Sequence, residues 1–234
     1  MVRAYLYLAV FIPLTFLFSI SAIISTLFDG TGRAYSRHAR LWGRLGLLLA
    51  GVRVSVCGGE HIPDGPVIFM SNHQSGFDIL ALLAGMPRPI NWIAKKELFD
   101  IPVFGSSMRR GGYIPLDRGD GRKALKSMDD AADAIRQGKS VVMFPEGTRT
   151  QDGKLLPFKR GGFILTRKAA VPVIPVTING SGRINPANQI RLYSGDIKIV
   201  LHPALNLPAD LRRSEAETWM MENVRNSIES ALEC

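Results

Sequence analysis

Cysteine is nearly absent. Two occur in 234 residues, Cys57 and the terminal Cys234, so the chain has no disulfide framework, no CxxC redox pair and no cysteine zinc site. No Gly-x-Ser-x-Gly elbow occurs, so a serine acyl-enzyme has no recognisable nucleophile. Cys57 falls in a strand-like run and is assigned to packing. Acidic residues are the scarcer charge, 20 Asp and Glu against 29 Lys and Arg, a net charge of +9. That excess favours anionic partners: nucleic acid, anionic lipid, a phosphorylated substrate or an acidic carrier protein. Helix-turn-helix, RNP and zinc signatures are missing, and much of the positive charge sits beside an apolar run, so no nucleic-acid partner is expected. Gly and Pro are scattered and 46% of residues are hydrophobic, which excludes disordered and collagen-like classes.

What is present begins at the N-terminus. The 25 residues from Ala4 to Phe28 carry no charge. As a helix they extend about 37 Å, enough to cross a bilayer core, with Pro13 inside the run. A buried core helix would show a polar face over this length. A signal peptide would carry more than Arg3 ahead of a shorter run. Arg33, Arg37, Arg40 and Arg44 follow at spacings of 4, 3 and 4, one narrow stripe of a helix, while Leu41, Trp42, Leu45, Leu48 and Leu49 cover much of the other side. An ordinary surface helix with a solvated Arg face has the same pattern. Directly after an apolar run of spanning length, it fits a basic amphipathic helix on anionic lipid. The crowding of Arg after the run places the rest of the chain on the cytoplasmic side. Spanning helix and hairpin dipping into one leaflet both fit. The expected division is a membrane-anchoring segment, 1–50, and a catalytic domain, 51–234.

From Val52 onward, strand-like runs occur at Val52–Cys57, Val67–Ser71, Ile90–Ala94, Tyr113–Leu116, Ser140–Phe144, Val173–Ile178 and Ile197–Leu201. Helical patterns fall at Gly119–Gln137, Gly161–Ala170 and Ser214–Leu232. The alternation predicts an α/β fold with a mixed, partly parallel sheet flanked by helices, and ligands at the carboxyl ends of strands.

Four clusters carry chemistry or shape. Asn72-His73-Gln74-Ser75-Gly76-Phe77-Asp78 follows a strand. His73 and Asp78 lie about 140° apart on a regular helix and pair only if His73 is in the loop and Asp78 in the first helical turn. Ser75 and Asp78 form a capping-box pattern that supports this break and also gives Asp78 a purely local role. Phe144-Pro145-Glu146-Gly147-Thr148-Arg149-Thr150 also follows a strand. Its Gly147 permits a tight path, and Thr148 and Arg149 suit an anion, although a turn with a surface Glu146–Arg149 ion pair has the same letters. Gly112–Arg118 delivers Arg118 to a strand end, where an ordinary solvated Arg has the same pattern. Val171–Val176 has no reactive group and supplies walls.

In this order and register the four clusters resemble the glycerolipid acyltransferase family, in particular 1-acyl-sn-glycerol-3-phosphate acyltransferases. His73 and Asp78 match the His-x4-Asp motif, Gly112–Arg118 the second motif, Phe144–Thr150 the Phe-Pro-Glu-Gly-Thr-Arg motif and Val171–Val176 the fourth. The stretch around Lys95-Lys96-Glu97-Leu98 is also similar. The resemblance implies transfer of an acyl group from a thioester, of acyl-carrier protein or coenzyme A, to the sn-2 hydroxyl of lysophosphatidate. His73 would be the base, and Asp78 would orient it. Arg118, Gly147, Thr148 and Arg149 would hold the phosphate, Glu146 would orient Arg or touch the glycerol, and Lys96 would assist. No cofactor and no metal are expected. Another lyso-lipid, such as lyso-ornithine lipid, or glycerol 3-phosphate is an alternative acceptor. A non-catalytic, membrane-anchored binder of anionic lipid is the alternative of another class.

Overall fold

The structure, a computed structural model, describes residues 1–117 and 121–233, with backbone only at 121–124. The chain opens with α1 (Val2–Phe28) and α2 (Arg33–Leu49). It then runs through β1 (Val52–Cys57), β2 (Ile68–Ser71), α3 (Phe77–Gly85), β3 (Asn91–Lys95), α4 (Phe104–Arg110), β4 (Ile114–Leu116) and α5 (Gly121–Arg136). There follow β5 (Val141–Met143), α6 (Gly161–Ala169), β6 (Val173–Asn179), α7 (Ser181–Ile184), β7 (Gly195–Leu201) and α8 (Arg213–Ser230).

The strands form one seven-stranded sheet in the order β1-β7-β6-β2-β5-β3-β4. Only the β6–β7 pair is antiparallel. The sheet is sandwiched, and the strands show it. In β2, Phe69 joins the core beside α3 while Ile68 and Met70 join the core beside α5, α6 and α8. In β5, Val142 faces the first core and Val141 and Met143 the second. Side chains that alternate between two buried faces must all be apolar, which is why these strands read as unbroken hydrophobic runs. Ala4 of α1 and Leu47 of α2 belong to the same core cluster as Phe69 and Leu80.

One expectation about side chains is corrected. Cys57 ends the edge strand β1 and is exposed rather than packed. On α2 the packed side is Tyr35, Gly43, Gly46 and Leu47, whereas Leu41, Leu48 and Leu49 are exposed. The reason is close approach. A Cβ on Gly43 would lie 2.9 Å from the Leu80 carbonyl oxygen, and one on Gly46 2.6 Å from the Phe11 ring. Glycines let the helices meet, and the leucines take the outer surface with the arginines. Trp42 lies between, its indole N–H donating to Thr15 Oγ1 at 2.9 Å.

Candidate active site

Parallel strands β2, β5, β3 and β4 end on one edge of the sheet. That edge gathers the His73 loop, the Glu146 loop, Lys95 and Asp117 from four separate stretches of sequence. Residue Arg118 lies outside the described residues.

At the end of β2 the chain breaks before α3, as the Ser75–Asp78 pattern requires. α3 begins at Phe77, and the reciprocal cap is formed just ahead of it. Ser75 Oγ accepts from Phe77 N–H at 3.2 Å, and Asp78 Oδ2 accepts from Ser75 N–H at 2.9 Å. The same Oδ2 accepts from Gln74 N–H and from His73 Nδ1–H, both at 2.8 Å. Capping and pairing are therefore one arrangement. Asp78 is fully buried, and its Oδ1 has no hydrogen-bond partner among the described residues. With Nδ1 donating to the carboxylate, His73 Nε2 carries the lone pair. The His73 ring is nearly parallel to Phe144, centroids 3.8 Å apart at 8°, and Phe144 in turn stacks on Trp92 at 5.6 Å.

Glu146 departs from its expected part. It is buried, and its two oxygens accept from His73 N–H and Leu156 N–H, each at 2.8 Å. Thr150 N–H donates to the His73 carbonyl at 2.9 Å. Glu146 is thus a clamp between the loops after β2 and β5 rather than a partner of Arg149. Burial pushes its carboxyl above the ordinary range, opposed by those two N–H donors and by His73. Gly147 turns the loop with φ 74°, and a side chain there would strike Lys159, 2.9 Å from the built Cβ. Thr148 and Arg149 are exposed, and Arg149 has no hydrogen bond or ion pair among the described residues.

A cavity of about 370 Å³ opens beside the dyad. His73, Thr148, Arg149 and Lys95 are among its lining residues, and Trp92, Phe144 and Leu83 supply apolar wall. Thr15, Phe18, Ser19 and Ala22 of α1 complete it. Lys96 is not a wall of this cavity; it begins the 3-10 turn Lys96–Asp100 after β3, with Nζ 3.3 Å from Asp117 Oδ2. Phe144, Trp92 and Lys95 were missed as site residues. Phe144 and Lys95 stand inside the quoted stretches without an assigned role, and stacking on an imidazole has no signature in spacing.

A histidine–aspartate pair at the carboxyl edge of a mostly parallel sheet, opening on an apolar chamber, defines the class of α/β protein to which this chain conforms. The family model described as Acyltransferase matches residues 53–179, and the chain belongs to that family. It is 36% identical over 203 residues to the chloroplastic 1-acyl-sn-glycerol-3-phosphate acyltransferase BAT2 of Brassica napus, over 85% of this chain and 58% of that protein. It is 33% identical over 184 residues to the 1-acyl-sn-glycerol-3-phosphate acyltransferase of Pseudomonas aeruginosa, over 76% of this chain and 71% of that one. The chain thus spans little more than half the length of the plant relative. The crystal structure of the 1-acyl-sn-glycerophosphate (LPA) acyltransferase PlsC from Thermotoga maritima shares the fold, with a TM-score of 0.82, 24% identity, and coverage of 97% of this chain and 94% of that one.

Proposed function

We propose that this chain transfers a fatty acyl group from a thioester to the sn-2 hydroxyl of lysophosphatidate at a membrane surface, forming phosphatidate. The observation that carries the reading is the 2.8 Å His73–Asp78 pair opening on a chamber whose mostly apolar lining includes Lys95 and Arg149. The relatives' shared activity supports the acceptor.

An alcohol is a weak nucleophile at neutral pH, so its proton must leave as it attacks. His73 Nε2 takes that proton while the sn-2 oxygen bonds to the thioester carbon. The imidazolium is held by Asp78, whose carboxylate is oriented by two backbone N–H groups. The C–S bond then breaks, and the proton passes from His73 to the departing thiolate. Arg149, with Arg118, supplies a bidentate fork for the acceptor phosphate. Thr148 and the backbone at Gly147 complete the cradle, and Lys95, which lines the cavity, takes the part expected of Lys96. Carrier protein and coenzyme A are both anionic donors suited to this mouth. The exposed apolar face of α1, with the arginines of α2 beside it, lies in the cytoplasmic face of the bilayer.

The test is an assay of the purified full-length chain with a panel of lyso-lipids and each thioester, alongside His73→Ala. Phosphatidate formation that His73→Ala abolishes supports the reading. Preference for another lyso-lipid overturns the acceptor, and full transfer by His73→Ala overturns the base.

A further inference from the structure

The segment between α7 and β7 has no part in the chemistry above, yet it is built. Asn185 Nδ2 donates to the Arg191 carbonyl at 2.8 Å, and Tyr193 N–H donates to the Ile184 carbonyl at 2.9 Å. Asn188 takes the left-handed turn, φ 61°. Leu192 is buried in the core, whereas Ile190 and Tyr193 are left 51% and 50% exposed. From Gly180 to Gly195 there are two arginines, Arg183 and Arg191, and no acidic residue. Gln189, Ile190 and Arg191 border a cleft whose other wall is Tyr7, Leu8 and Phe11 of α1. The exposed Ile190 therefore lies across this cleft from α1. The base of the segment is bonded to the catalytic loop, since Ser75 Oγ donates to the Asn185 carbonyl at 2.9 Å.

We propose that the segment 186–194 is a second bilayer contact. Ile190 and Tyr193 enter the headgroup boundary, and Arg191 faces lipid phosphate. The inference rests on the reading that the exposed face of α1 lies in the bilayer. Two contacts on either side of one cleft fix the tilt of the sheet edge against the membrane, which one helix cannot do.

The experiment uses the full-length protein with Cys57→Ser and Cys234→Ser, and single cysteines at Leu17 on α1, at Ile190, or at Glu222 on the far helix α8. Each carries an environment-sensitive fluorophore. The protein is reconstituted in phosphatidylethanolamine–phosphatidylglycerol vesicles with or without nitroxide-bearing lipid. The expected result is at least twofold quenching at 17 and 190 and none at 222. Quenching at 17 without quenching at 190 overturns this inference alone. No quenching at 17 overturns the α1 reading, and the inference with it.

Discussion

Asp78 Oδ2 receives three N–H donors while Oδ1 receives none, so one atom sets both the loop and the imidazole. In Asp78→Asn an amide oxygen replaces Oδ2, keeping the shape and removing the charge that stabilises imidazolium. We expect kcat to fall about 10³–10⁴-fold, the range of such substitutions in hydrolase triads. The fall in the double variant with His73→Ala should be no larger than in His73→Ala alone, because the two act as a unit. Additive losses in initial-rate assays would refute the dyad. Glu146 tests positioning. In Glu146→Gln one acceptor becomes an NH₂ facing the N–H of His73 or Leu156, and the loop must shift. A displacement of the base by about 1 Å costs on the order of 10²-fold, so kcat should fall that far with little change in the acceptor KM. A rise in KM alone would return Glu146 to the acceptor site. The pairing of His73 with Asp78 was legible through the resemblance of four motifs in register, since the cap pattern alone also gave Asp78 a purely local role. Glu146's task was not legible, because its partners are backbone groups 73 and 10 residues away.

Among elements, α2 depends on glycine. A methyl group at Gly43 meets the Leu80 carbonyl, which is backbone and cannot swing aside. Gly43→Ala should therefore destabilise by about 1–3 kcal/mol and lower Tm by several degrees. Gly30→Ala, with nothing within 4 Å of the new Cβ, should leave Tm unchanged. A second joint lies where α8 meets the sheet. Thr177 Oγ1–H donates to the Ile228 carbonyl at 3.0 Å and its oxygen accepts from His202 Nε2–H at 2.8 Å. Burial, and then the field of His61, hold the His202 pKa below its ordinary value. A lowered folded-state pKa means that the unfolded chain takes the proton first. Stability is full above about pH 6.5 and is lost as pH falls below it. His202→Gln keeps a donor and cannot titrate, so calorimetry from pH 7.5 to 5.5 should show about 2 °C or more less acid shift in Tm than wild type. An equal shift in both would remove His202 from the account. All seven strands were legible, β2, β5 and β6 because both-sided burial leaves an apolar run and β1 and β7 because buried and exposed residues alternate, and their ends moved by two residues at most. The short α4 and α7 were not, since seven and four residues are too few to display a helical period. The glycine face on which α2 packs was not legible, because a helical wheel gives angles but not which neighbour approaches each one.

At the scale of the whole molecule, the apolar N-terminal helix is both surface and wall. Val10, Leu17, Ile20 and Ile24 of α1 are exposed, while Ser19 and Ala22 are buried against the chamber that holds His73. Arg3 ties the helix start to the Ala50 carbonyl at 2.6 Å. The helix is therefore held at its start and against the chamber, and on the proposed function membrane attachment and catalysis share one element. A simple anchor could be exchanged for any other apolar helix; a wall could not. Replacing residues 2–28 by an unrelated apolar helix should keep the protein in the membrane fraction yet abolish transfer, even with short-chain substrates presented as monomers in detergent. A finer variant separates loss of the wall from loss of folding. Ala22→Phe adds a ring at a chamber-facing position without touching the dyad. It should lower kcat/KM for long-chain thioesters at least tenfold more than for short ones, at unchanged pH dependence. Equal rates across donor lengths in Ala22→Phe, or full activity in the helix exchange, would show that α1 only anchors and that the acyl chain lies elsewhere.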